Sequence, residues 1–167
     1  MKILFVCDGN VYRSRVAQAC FDNLSQHDTE SAGIRVEEWI AMLNLPGKKI
    51  KDAPTHRSIE YIRNEFGEDI SEKERKQLTP ELVDEADLVI VMTEKNGWPD
   101  YLNEGNKVVF WDIPDPLEHD DDFAYDVFKQ IKHRVEKLVE DIEREEFSTG
   151  KKRGTLLARL TNSTPSY

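Results

Sequence analysis

The sequence is poor in cysteine: Cys7 and Cys20 are its two thiols. That excludes the disulfide framework of a small secreted scaffold and leads us to expect a cytoplasmic protein with reduced thiols. Long apolar runs are also missing, and none approaches the ~20 residues a membrane-spanning helix needs. The apolar start, Ile3 to Val6, is too short for a signal peptide and has no small-residue cleavage site behind it. Positive charge is in deficit: 23 Lys plus Arg face 33 Asp plus Glu, for a formal net charge of −10. This argues against nucleic acid or a membrane surface as a partner, while leaving room for a small local anion site. His27, His56, His119 and His133 are scattered without an i, i+4 pair, so no metal site is expected from them. The acids Asp112, Asp115 and Asp120 to Asp122 lack the spacing of a calcium loop. Neither a P-loop lysine motif nor G-x-G-x-x-G occurs, so no nucleotide or other cofactor is expected.

What remains is a chain of 167 residues, 38% hydrophobic and 9% aromatic. That suits one domain with a sizeable core and excludes global disorder. Lys2 to Cys7 (KILFVC) reads as a buried strand running into a polar, glycine-containing loop. Val16, Ala17, Cys20, Phe21 and Leu24 follow at helical spacing, which predicts a helix from about 14 to 25 with Cys20 on its core face. Further strands are expected over 28–34, 87–92 and 107–113, and a helix over 57–66. Thr79-Pro80-Glu81 carries an N-cap with proline at the first helical position. The stretch 34–55 resists assignment. Phe123, Val127, Ile131, Val135, Leu138 and Ile142 form the stripe of a long last helix, with Asp120 to Asp122 at its N-terminus. From Ser148 to Tyr167 there are four basic residues and no acids, so a mobile basic tail is expected after a domain of residues 1–147. Strands alternating with helices imply an α/β fold. We expect an open, mostly parallel four-stranded sheet with helices on both faces.

In such sheets ligands sit beyond the carboxyl ends of strands, where helices begin. That place is Cys7-Asp8-Gly9-Asn10-Val11-Tyr12-Arg13-Ser14. Loop amides and a helix N-terminus there make a cradle for a phosphate-sized dianion. Arg13 adds a bidentate fork. The same positive field favours thiolate over thiol at Cys7, and Ser14 can donate to the sulfur. Gly9 and Asn10 both tolerate the positive φ that a tight cradle requires. Taken alone, the Cys-x5-Arg spacing is a weak motif. The strand–loop–helix setting makes it informative.

Phe5-Val6-Cys7-x-Gly9-Asn10-x-x-Arg13-Ser14 resembles the phosphate-binding loop of the low-molecular-weight protein tyrosine phosphatases. The likeness continues through Ser31-Ala32-Gly33, Gln77 to Leu82 and Ala86 to Met92, and ends at Ile113-Pro114-Asp115-Pro116. The resemblance implies a cysteine-dependent phosphatase that acts on a phosphorylated protein and releases inorganic phosphate. Cys7 would form a thiophosphate intermediate, Arg13 would hold the equatorial oxygens, and Asp115 would serve as general acid and then base. Asn10, Ser14 and Ser31 are similar to the family's supporting network. A monomer is expected.

The chain departs from the family at three positions. Tyr12 stands where many members carry a second cysteine, Arg15 where proline usually follows the serine, and Leu117 where many eukaryotic members have an aromatic residue. Trp39 has two places open to it, the wall of the substrate cleft or the core, whereas Trp98 and Trp111 are expected to pack. The rival functions are a binding-only relative, a phosphoarginine phosphatase, an arsenate reductase and a sugar-phosphotransfer module. An arsenate reductase needs further cysteines, and none follows Cys20. A relay cysteine needs no separate acid, so Asp115-Pro116 speaks against the last of these.

Overall fold

The computed structural model describes residues 1–149 and 158–160. Most of the expected basic tail lies outside the described residues. Four parallel strands form one sheet in the order β2-β1-β3-β4, comprising β1 (Lys2–Cys7), β2 (Asp28–Gly33), β3 (Leu88–Val91) and β4 (Val108–Phe110). The helices are α1 (Arg13–Leu24), α2 (Val36–Met42), α3 (Arg57–Phe66), α4 (Pro80–Glu85) and α5 (Asp121–Thr149).

Strand β1 is interior to the sheet, so its side chains alternate between two buried faces. Ile3 and Phe5 join the larger core with Val16, Phe21, Ile62, Phe128 and Ile131 from α1, α3 and α5. Leu4 and Val6 face a smaller core with Ala32, Leu78, Val83, Val89 and Val91, closed by α4. This is the α/β sheet covered on both faces that the strand–helix alternation implies. The stripe on α5 packs as its spacing requires, with Val127, Ile131, Val135, Leu138 and Ile142 buried and Phe123 partly so.

Local signals explain several boundaries. Thr79 caps α4 by accepting from the Leu82 amide at 3.4 Å, with Pro80 at the first helical position. At the other end of α4, Lys107 Nζ donates to the carbonyls of Val83, Asp84 and Ala86, which the helix leaves free. Gly67, at φ 73°, ends α3 in the left-handed conformation. Strands β3 and β4 are shorter than their apolar runs. Met92 N and Trp111 N still bond to Val6 O and Val91 O, but beyond them the chain turns away toward the site.

The stretch 34–55, opaque in sequence, forms α2 and then a single 3₁₀ turn at Ile50–Asp52. It has no strong periodicity because only Val36 of α2 is buried. Tertiary contacts hold it instead. Ile50 N donates to Lys73 O at 2.9 Å and Arg75 N to Lys48 O at 2.8 Å, so 48–50 runs against 73–75. Ile50, wholly buried, anchors the pairing. The pairing fixes the backbone of Arg75 beside the first loop.

Candidate active site

The carboxyl end of β1 delivers Cys7, 3% exposed, into a loop that closes at Arg13. Its Sγ lies 3.0 Å from Ser14 Oγ. No side chain caps the N-terminus of α1, so its first-turn amides are left for a ligand. Positive φ falls on Asn10, at 53°, and not on Gly9. That corrects the expectation for Gly9: a Cβ there would meet Arg75 Nη2 at 3.7 Å and Trp39 at 3.9 Å, ordinary contacts. The glycine that sterics demand is Gly33, where β2 passes beneath the loop. A Cβ at Gly33 would stand 2.7 Å from Asn10 N and 2.8 Å from Asp8 O.

Asn10 is fully buried, and its amide makes every hydrogen bond open to it. Nδ2 donates to Ser14 Oγ at 2.9 Å and to Ser31 Oγ at 3.0 Å. Oδ1 accepts from Arg15 Nη2 at 2.9 Å and from Lys76 N at 2.8 Å. Ser31 Oγ in turn donates to Gln18 Oε1 at 2.7 Å. The structure therefore brings Asn10, Ser14 and Ser31 together, and adds Gln18, Arg15 and Lys76. Lys76 could not be read from sequence because it reaches Asn10 from 66 residues along the chain.

Arg13 is 5% exposed and aimed by the loops after β3 and β4. Nη1 donates to Met92 O and, at 3.1 Å, to Ile113 O. Nη2 lies 3.4 Å from Asp115 Oδ2. Asp115 is exposed, and its Oδ1 accepts from Leu117 N at 3.0 Å, so it is both the turn that Asp-Pro commonly makes and a carboxylate at the cleft. Arg57, which sequence reasoning missed, holds this loop by donating to Pro116 O at 3.0 Å and pairing with Asp121 at 3.1 Å.

Asp8 would oppose an anion if left bare, and it is not bare. Arg35 meets it with two contacts of 2.8 Å, and Trp39 Nε1 donates to it as well. Burial alone would raise its carboxyl; those hydrogen bonds outweigh burial and hold it below the usual range. The same contact places Trp39. It lines the cleft, with Leu43, Val11, Tyr12 and Leu117 as further walls above Cys7. Trp111 is buried in the core and Trp98 packs on Phe110.

Cys20 is fully buried, its Sγ 3.9 Å from Lys132 O, and burial pushes its thiol up to about 12. It stays protonated at neutral pH. We expect mild peroxide to oxidise Cys7 to its acids without forming a Cys7–Cys20 disulfide. Peptide mass spectrometry checks this, and a Cys7–Cys20 link would refute it.

A thiol at the end of the first parallel strand, an amide-lined Cys-x5-Arg-Ser loop and an aspartate facing the arginine define a cysteine-dependent phosphatase. Residues 2–148 match the family model for low molecular weight phosphotyrosine protein phosphatase, and the chain belongs to that family. It is 31% identical over 131 residues to the low molecular weight protein-tyrosine-phosphatase Ptp of Acinetobacter johnsonii, covering 72% of this chain and 83% of that one. Among solved structures it is similar to Vibrio vulnificus Wzb in complex with benzylphosphonate, at 26% identity and a TM-score of 0.66, over 83% of this chain and 97% of that one. The YwlE arginine phosphatase from Geobacillus stearothermophilus shares the fold, with a TM-score of 0.67 at 20% identity, over 90% of this chain and 98% of that one. Among the described residues, no helix is long and apolar enough to cross a membrane.

Proposed function

We propose that the protein hydrolyses phosphotyrosine on protein substrates through a thiophosphate intermediate on Cys7. The observation that carries this reading is one cleft lined by Cys7, Arg13 and Asp115 at its polar end and by Trp39, Val11 and Leu117 along its walls. The phosphoryl dianion sits on the loop amides, and the Arg13 fork turns from Asp115 to two equatorial oxygens. Cys7 Sγ attacks phosphorus as the bond to the phenolic oxygen breaks. Asp115, in its acid form, gives that oxygen its proton. Asp115, now a carboxylate, then takes a proton from water, water attacks phosphorus, the S–P bond breaks and inorganic phosphate leaves. Ser14 Oγ, 3.0 Å from Sγ, stabilises the sulfur as it departs.

Arg13, the loop amides and Asp115 supply the charges the reaction needs, so a chelator should leave the rate unchanged. Activity that vanished with chelator and returned with a divalent ion would refute the mechanism.

Val11, 6% exposed and lining the cleft, decides between leaving groups. Valine offers methyl groups to the face of a phenyl ring and leaves guanidinium N–H groups unpaired. An unpaired buried polar group costs about 1–3 kcal/mol, or one to two decades in selectivity. Trp39 adds an aromatic wall. Matched peptides should therefore give catalytic efficiencies in the order phosphotyrosine, phosphoarginine, phosphoserine, the last because its short arm cannot reach the cradle. Equal or better turnover of phosphoarginine would refute the assignment.

A further inference from the structure

Two more guanidiniums reach this loop from outside the Cys-x5-Arg motif. Arg75 is 5% exposed and Arg15 8%. Arg75 Nε donates to Gly9 O at 3.1 Å. Arg15 Nε donates to Asn10 O at 3.4 Å, and its Nη2 to Asn10 Oδ1 at 2.9 Å and to Glu74 O. Consecutive residues at the positive-φ corner of the loop are thus tied down by two cations. The Nη1 of Arg75 is buried without a hydrogen-bond partner.

The charge balance is unusual. Arg13 faces Asp115, and Arg35 faces Asp8. Among the described residues, neither Arg15 nor Arg75 has a carboxylate within ion-pair distance. Glu68 and Asp52 act on them only at longer range, and each is engaged elsewhere, Glu68 with Lys73 and Asp52 with the Lys49 amide. Burial pulls both guanidiniums down, Arg15 to about 10, yet both remain charged at neutral pH. An uncompensated buried cation destabilises a fold. Arg75 lines the same cleft as Cys7, and Arg15 is tied to the next turn of the loop through Asn10.

We propose that Arg15 and Arg75 form a buried dication whose countercharge is the Cys7 thiolate and, when bound, the phosphoryl dianion. They are positioning residues. They stiffen the Gly9–Asn10 corner and raise the affinity of the cradle for a dianion. This rests on the function proposed above, because it requires Cys7 to be the nucleophile at an oxyanion site. Besides Arg75, the charged or titratable groups that line the cleft with Cys7 are Arg13, Asp8, Tyr12 and Asp115.

The test compares wild type with Arg75→Met and Arg75→Lys, using inorganic phosphate as probe. Arg75→Met should weaken phosphate binding roughly tenfold, a change of about 1.4 kcal/mol. It should slow alkylation of Cys7 by iodoacetamide at neutral pH by a similar factor, and leave the rate unchanged at strongly alkaline pH. Arg75→Lys should recover most of the phosphate affinity. Arg15→Met is the second site, expected to weaken phosphate binding in the same way. If it does not fold, the Arg75 variants decide. Phosphate affinity and alkylation equal to a phosphate-binding wild type would overturn this inference alone. Wild type that neither binds phosphate nor reacts selectively at Cys7 would overturn the proposed function and this inference together.

Discussion

Cys7→Ser should abolish turnover of aryl phosphates while leaving the fold and the phosphate cradle in place. Serine is close in volume to cysteine, and the site is a buried strand end packed by β2 and β3, so the core has little to lose. The loop hydrogen bonds run through Asn10, Ser14 and Ser31 rather than through the Cys7 side chain, apart from the 3.0 Å contact to Ser14 Oγ. What disappears is the nucleophile. A hydroxyl in this loop has no general base beside it in the first step, since Ser14 is itself a hydroxyl and Asp115 there carries the proton meant for the leaving oxygen. The expected loss is on the order of 10⁴–10⁶-fold, as for removal of nucleophiles elsewhere. Steady-state rates on an aryl phosphate measure it, and calorimetry with inorganic phosphate verifies that the cradle survives. Residual turnover within tenfold of wild type would reassign the nucleophile. Loss of phosphate binding together with turnover would instead point to a damaged loop.

Local signals carried most of the framework. The KILFVC run, the helical spacing from Val16 to Leu24 and the Thr79-Pro80 start each act within one turn or strand, so a reader of the chain can find them. The α5 stripe was equally plain because a long helix repeats its period many times. The loop from Cys7 to Ser14 is legible because its motif is packed into eight consecutive residues. The rest was not legible, for a common reason. Arg57 reaches Pro116 and Asp121, Arg75 reaches Gly9, and Lys76 reaches Asn10, all across more than fifty residues of chain. Arginine is common on surfaces, and nothing in its neighbours along the chain distinguishes a buried one. In sequence Arg15 shows only as a departure from the proline of the resembling family, and its bonds to Asn10 show what the departure does. Gly9 and Asn10 both suit a positive φ and only Asn10 of the two adopts it, while the glycine the loop needs, Gly33, sits on another strand. Trp39 stayed ambiguous until its partner was known, because an indole suits a core and a cleft equally. Asp8 settled it.

Asp115→Ala should separate substrates by their leaving groups. Asp115 stands where the loop after β4 meets Arg13, at 3.4 Å, and its carboxylate is exposed to the cleft. A phenol of high pKa departs slowly as the phenolate, so the proton from Asp115 is worth most there. General acid catalysis contributes about 10²–10⁴-fold, and phosphotyrosine peptides should lose activity on that scale. An activated aryl phosphate whose phenol is already acidic leaves without help and should lose far less in the first step. Its turnover then becomes limited by the second step, because the same residue no longer draws a proton from water. The thiophosphate on Cys7 should accordingly accumulate. A burst of phenol followed by a slow steady state, with a phosphorylated Cys7 peptide trapped by acid quench, is the expected signature. The change also removes the carboxylate that faces Arg13, so inorganic phosphate should bind no more weakly than in wild type. That keeps the chemical loss distinct from a binding loss. Undiminished turnover of phosphotyrosine peptide by Asp115→Ala would assign the proton to another group.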